Sequence, residues 1–212
     1  MKVLSVNVGK PADLPYGKKV VQSGIQKAPV HQAIFLSKTG FEGDGQADLV
    51  HHGGEDKAVC VYPYEHYTYW AETLGRPMPQ AAFGENITAA GLLETNVHIG
   101  DIFQLDEAVV QISQPRQPCF KLAARYNEPT LVSLVDETGY TGFYFRVLTE
   151  GKVGAESRLE RKHIHPAAIT VEEANQIMKK KESSQEEIKK LVDLEELAES
   201  WKKPLLKRLH TS

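Results

Sequence analysis

The stretch VHIGDIFQLDEAVVQIS, Val97–Ser113, holds two short apolar pieces, VHIGDIFQL and AVVQIS, with Gly100, Asp101 and Asp106 as punctuation. Pieces this short, rich in Val and Ile and broken by turn formers, suit strands rather than helices. The same texture extends outward, to MKVLSVNV, AIFL and AVCVY before it and TGFYFRVL after it. Stretches such as KPADLPYG, TGFEGDG and FGENITAAG separate the pieces. From Met1 to about Arg161 the pattern therefore predicts a β-barrel or sandwich, without the repeated βαβ alternation of a doubly wound fold. One helix is expected in YPYEHYTYWAETLG, stopped by Pro77 and Pro79, and two shorter ones in PCFKLAARYN and NEPTLVSLVDETG.

Past His165 the chain becomes rich in Glu, Lys and Leu, with apolar residues at helical spacing. Thr170 ahead of Glu172 and Glu173, and Ser184 ahead of Glu186 and Glu187, are helix-start signatures. Three helices are predicted: Val171 to Lys179, Gln185 to Leu191, and Leu194 to Trp201 with a tail through Leu209. The chain thus divides into residues 1–164, mostly β with some α, and a C-terminal three-helix bundle over 165–212. A bundle this small has too little core to stand alone, so it is expected to pack on the main domain, its apolar faces also suiting a homodimer contact.

Composition narrows the function. With 41% hydrophobic and 25% charged residues and a net charge of -3, nothing biases the whole chain toward nucleic acid or membrane. The basic runs KKK and WKKPLLKRL are balanced by EE pairs and DLEELAE, which reads as a solvated helix face rather than a nucleic-acid surface. No apolar run reaches the roughly 18 residues of a membrane span, and MKVLSVNVGKP is too polar for a signal peptide, so a cytoplasmic protein is expected. GxGxxG, Walker A, HExxH and GxSxG patterns are all missing.

Two cysteines differ in setting. Cys60, inside AVCVY, reads as a buried small hydrophobe without a role. Cys119, in QPRQPCFKL, follows a strand and two prolines, and Arg116 and Lys121 flank it with charge that favours a thiolate; on its residues alone it is either reactive or structural. The loop FEGDGQADLVHHGGEDKAV carries Asp44, Asp48, His51, His52, Asp56 and Lys57 among glycines that allow close approach of a ligand, or simply solvates a long connection. Adjacent His51 and His52 point to opposite sides of an extended chain, which makes a zinc pair weak. Asn86 in AFGENIT reads as a turn residue or a hydrogen-bonding side chain, and Lys27 in QSGIQKAPV as a surface charge by default.

Taken together, SGIQKAPV, EGDGQADLVHHGGEDKAVCVYPYEHY, FGENIT with HIGD, QPRQPCFKL and GYTGFYFRVL resemble the MOSC domain in its YiiM-like subfamily, and the terminal helices resemble that subfamily's three-helix domain. The resemblance implies a MOSC-type β-barrel with flanking helices that binds the molybdenum cofactor, with Cys119 as the protein ligand to the metal and the residue at the centre of catalysis. It implies cofactor-binding roles for Lys27, His51, His52, Lys57, Asn86 and Arg116, with Lys27 and Arg116 facing the anionic tail. Many relatives carry an arginine where this chain has Gly45, which removes one phosphate contact. The implied activity is reduction of an N-hydroxylated small-molecule substrate by oxygen-atom transfer, with electrons from an external flavin or iron-sulfur protein. The alternative is a cofactor or sulfur carrier that uses Cys119 without turnover.

Overall fold

The computed structural model describes residues 1–48, 53–180 and 183–210. Thirteen strands are described: β1 (Lys2–Val8), β2 (Ala12–Tyr16), β3 (Lys19–Ser23), β4 (Ala28–Pro29), β5 (Ile34–Ser37), β6 (Gly40–Phe41), β7 (Val59–Pro63), β8 (Ile87–Ala90), β9 (Ile102–Leu105), β10 (Ala108–Pro115), β11 (Phe143–Thr149), β12 (Gly151–Val153) and β13 (Leu159–His163). Eight of them form one sheet in the order β13-β9-β10-β11-β7-β8-β1-β4, antiparallel except where β7 runs parallel to β8. A bridge between Lys2 and Arg158 brings the start of β13 back to β1, so the sheet curls into a half-barrel. Register shifts between β10 and β11 add to that curl, since each bulge bends its strand and increases local twist.

The expected strands of Val97–Ser113 are present as the β9–β10 hairpin, turning at Asp106 and Glu107. KPADLPYG, expected as punctuation, instead supplies β2 of a β2–β3 hairpin. Gly17 takes the positive φ of 59° that the two-residue turn needs, and Pro15 is tolerated in a ladder of only two strands.

Six α-helices are described: α1 (His66–Leu74), α2 (Phe120–Tyr126), α3 (Leu131–Thr138), α4 (Val171–Lys179), α5 (Gln185–Val192) and α6 (Glu199–His210). Both predicted helix starts in the C-terminal region are complete capping boxes, Thr170 with Glu173 and Ser184 with Glu187. The last helix departs from the expected Leu194–Trp201. The Ala198 amide donates to the Ser113 carbonyl of β10 at 3.0 Å, so residues 194–198 make tight turns against the sheet, and the helix begins only at Glu199. It continues past Pro204, which lies inside it.

One face of the sheet carries Val59, Val61, Phe103, Val110, Ile112, Phe143 and Phe145, and the same contiguous core includes Ile188, Leu191, Leu197, Trp201 and Leu205 of the C-terminal region. The opposite side holds a second cluster, in which Tyr62, Phe83 and Trp70 pack with Leu122, Leu131 and Val135 of α2 and α3. Among the described residues no helix is long and apolar enough to cross a membrane.

Candidate active site

Period-two alternation decides which side chains reach the second side of the sheet. On β7, Val59 and Val61 enter the main core while Cys60 points the other way; on β11, Phe143 and Phe145 enter it while Tyr144 does not. Cys60 and Tyr144 are cross-strand partners. They line one cleft together with Lys27, Lys57, Asn86, Arg116 and Cys119, so every predicted site residue that is described here converges on a single place. The cleft and its open mouth together span about 630 Å³ of space, part of it bulk solvent. His51 and His52 lie outside the described residues.

β10 ends at Pro115, and the following segment delivers Arg116 and Cys119. The Arg116 amide donates to the Gly142 carbonyl at 3.0 Å, while its guanidinium donates to the carbonyls of Phe83 (2.9 Å) and Thr141 (3.4 Å). The residue is 6% exposed. Among the described residues no carboxylate forms an ion pair with it. Burial is the largest influence and works against its charge, but Cys60, Tyr144 and Cys119 act the other way and the net shift is upward, so the guanidinium stays ionised near pH 7. Cys119 is the N-cap residue of α2, in extended conformation, and its side chain makes no capping bond, which leaves the half-buried sulfur for another partner.

The other thiol is set differently. Burial above all pushes Cys60 up to about 11, against the opposing pull of Arg116 and Lys27, so it is a neutral thiol near pH 7. It is buried, as expected, but in the wall of the cleft rather than in the apolar core. Tyr144 is likewise kept protonated, by burial and by the neighbouring Cys60.

Lys27 is not a surface charge. Its side chain is 6% exposed and pairs with Asp44, 3% exposed. Asp44 also accepts from the Gly9 amide at 2.9 Å and from Asn86 Nδ2 at 2.8 Å. Asn86 Nδ2 reaches the Asn7 carbonyl as well (3.2 Å), and its Oδ1 accepts from the Cys60 amide (3.1 Å). Both ends of the Asn86 amide are therefore engaged by protein, and the residue clamps β1, β7 and the Asp44 loop around the cleft. Beside it, a Cβ on Gly45 would lie 2.9 Å from Pro11 Cδ, and one on Gly24 only 2.3 Å from the Gly45 carbonyl oxygen. The wall at Gly45 is bare backbone because Pro11 leaves no room for a side chain.

Lys57 closes the short 3₁₀ turn Glu55–Lys57; burial lowers its pKa, with Asp56 and Asp48 acting in the opposite direction. Asp56 is turned away, accepting from Arg146 at 2.6 and 2.9 Å. Among the described residues no group of three or more His, Cys, Asp or Glu could cage a metal ion.

Comparison with known proteins bears on the family and the fold. The family model for the MOSC domain matches residues 48–160, and the model described as the YiiM-like, 3-alpha helix domain matches 169–211. YflK of Bacillus subtilis is 52% identical over 97% of this chain and 93% of its own length. The crystal structure of YiiM from Geobacillus stearothermophilus superposes with a TM-score of 0.84 at 38% identity, covering 98% of each chain. A protein of Gibberella moniliformis named "Reductase" is 36% identical over 71% of this chain but only 27% of its own, longer sequence.

Proposed function

The chain belongs to the MOSC family, with the YiiM-like three-helix domain at its C-terminus, and we propose that its cleft binds the molybdenum cofactor for reduction of N-hydroxylated small molecules. The observation that carries the reading is the pairing of an uncapped thiol with a buried guanidinium that has no carboxylate partner among the described residues, both on one cleft. A buried cation of this kind is costly unless an anion meets it, and a thiolate is a soft ligand for a metal.

The donor set fits that cofactor. Cys119 would hold the metal through its sulfur, and Arg116, as a fixed cation, would meet the anionic tail. Lys57 adds a half-buried amine to the same wall. Lys27 contributes less net charge because Asp44 neutralises it, and Asn86 acts by holding the shape of the wall rather than by offering a spare donor. His51 and His52 remain assigned to cofactor binding by the resemblance alone. When bound, the cofactor supplies two-electron oxygen-atom chemistry. The overall reaction takes a hydroxylamine-type substrate, two electrons and two protons to the amine and water. The electrons come from an external flavin or iron-sulfur protein, and Tyr144, held protonated at the cleft wall, keeps an O–H donor there near neutral pH.

The distant fungal relative named a reductase supports the reaction class. The test is molybdenum and pterin content of the wild type and of Cys119→Ala, made in a host that synthesises the cofactor, followed by turnover of an N-hydroxylated base analogue with a reductase donor. Near-stoichiometric molybdenum in the wild type, its loss in the variant and amine formation are expected. Wild type lacking both molybdenum and pterin after reconstitution would overturn the reading; cofactor retained and passed to an acceptor without turnover would favour a carrier.

A further inference from the structure

The charged side chains that line the cleft are all cations: Lys27, Lys57, Arg116 and Lys121. No Asp or Glu is among its described lining, although the whole chain has a net charge of -3. Charge of one sign gathered on a cleft concentrates the field there and draws in ions of the other sign. The lining therefore opposes the charge of the molecule as a whole.

Three of the four cations are already engaged by the protein. Lys27 is paired with Asp44. The Arg116 guanidinium is spent on the Phe83 and Thr141 carbonyls and on the Tyr144 hydroxyl. Lys57 lies beside Asp56 and Asp48, whose charges act on its amine. Lys121 differs. It stands in the first turn of α2, two residues after Cys119, and is half-buried. Among the described residues its amine makes no ion pair and no hydrogen bond. Arg116 and the Lys27 side chain are each 6% exposed and serve the buried part of the cleft. Lys121, more open to solvent, is the cation that a ligand arriving from solution can meet.

We propose that Lys121 selects for an anionic substrate, an N-hydroxylated compound that also carries a phosphate or carboxylate group. The inference rests on the reductase reading and adds a substrate class to it. The hydroxylamine group is reduced to the amine and water with two electrons from the external donor and two protons, while the anionic group is left unchanged. Because the lysine meets the end of the substrate that does not react, its attraction is the same before and during the reaction, and it acts on KM rather than kcat. At a half-exposed site such a charge pair is worth about tenfold in affinity.

The experiment compares two pairs of substrates of the molybdenum-loaded full chain with a reductase donor: N⁴-hydroxycytidine 5′-monophosphate against N⁴-hydroxycytidine, and 4-carboxyphenylhydroxylamine against phenylhydroxylamine. A kcat/KM about tenfold higher for the charged member is expected. The preference in both pairs marks a site for negative charge in general; in one pair alone, it names the phosphate or the carboxylate. Lys121→Met should abolish the preference through KM, Lys121→Arg should keep it, and rising ionic strength should narrow it. Equal kcat/KM within both pairs, or an equal fall for both members in Lys121→Met, would overturn the proposal. If none of the four compounds is reduced, the reductase reading fails, and calorimetric titration of the full chain with cytidine 5′-monophosphate against cytidine decides the charge preference alone. Binding of the nucleotide about tenfold tighter, lost in Lys121→Met, would support anion selection at Lys121, and equal binding would overturn it.

Discussion

Cys60 and Cys119 share a cleft but not a chemistry, and burial is the reason. Cys119 is half-buried with a sulfur that caps nothing, whereas the Cys60 thiol is desolvated and pushed up to about 11. In Cys119→Ser, labelling of Cys60 by iodoacetamide should rise about tenfold per pH unit and keep rising toward pH 11, because only the thiolate reacts. A plateau near pH 9, followed by mass spectrometry, would show an ordinary thiol there. The same shift bears on stability: a group that holds its proton more tightly when folded favours the folded state below its unfolded pKa, and that contribution fades between about pH 9 and 11. The motif residues Cys119, Arg116, Lys27 and Asn86 were legible as candidates because each stands in a short, distinctive segment. Cys60 and Tyr144 were not, although AVCVY and GFYFRVL alternate: a strand pattern says which residues share a face, not which face borders a cleft. The engagement of Lys27 by Asp44, 17 positions away, depends on loop packing that no local pattern reports.

At the scale of elements, sequence signals succeeded where a single local force dominates. Thr170 and Ser184 begin α4 and α5 as predicted because a capping box satisfies orphan amides within four residues. Thr170→Ala should cost about 1 kcal/mol in denaturant unfolding, with Thr170→Ser restoring most of it; an unchanged midpoint and slope would show that α4 is held by packing alone. The start of α6 was misplaced because a long-range bond, the Ala198 amide to the Ser113 carbonyl, takes the amide that a helix from Leu194 would have used. The β2–β3 hairpin was missed for the converse reason, since Pro15 and Gly17 are turn formers in any context and here serve an isolated ladder. Its tip also contributes to the surroundings of the cleft: Tyr16 packs on Phe120, the residue after Cys119, with ring centroids 5.2 Å apart.

For the whole molecule, the main core crosses the boundary between the half-barrel and the C-terminal helices. Ile188, Leu191, Leu197, Trp201 and Leu205 belong to the same contiguous cluster as Phe103, Ile112 and Phe143. Backbone bonds tie the two parts as well, from Ile99 to the Ile169 carbonyl and from Val171 to the Val97 carbonyl, each at 3.0 Å. Separating them would expose apolar surface at roughly 25 cal/mol per Å², a penalty that neither part could absorb given the marginal stability of small domains. Calorimetry should therefore record one unfolding transition, with calorimetric and van't Hoff enthalpies in agreement, rather than a small early peak for the helices. The same packing predicts that Trp201→Ala, which empties a fully buried site, lowers the midpoint of that one transition. Two resolved peaks, with only the lower one moved by Trp201→Ala, would instead make the helices an independent unit.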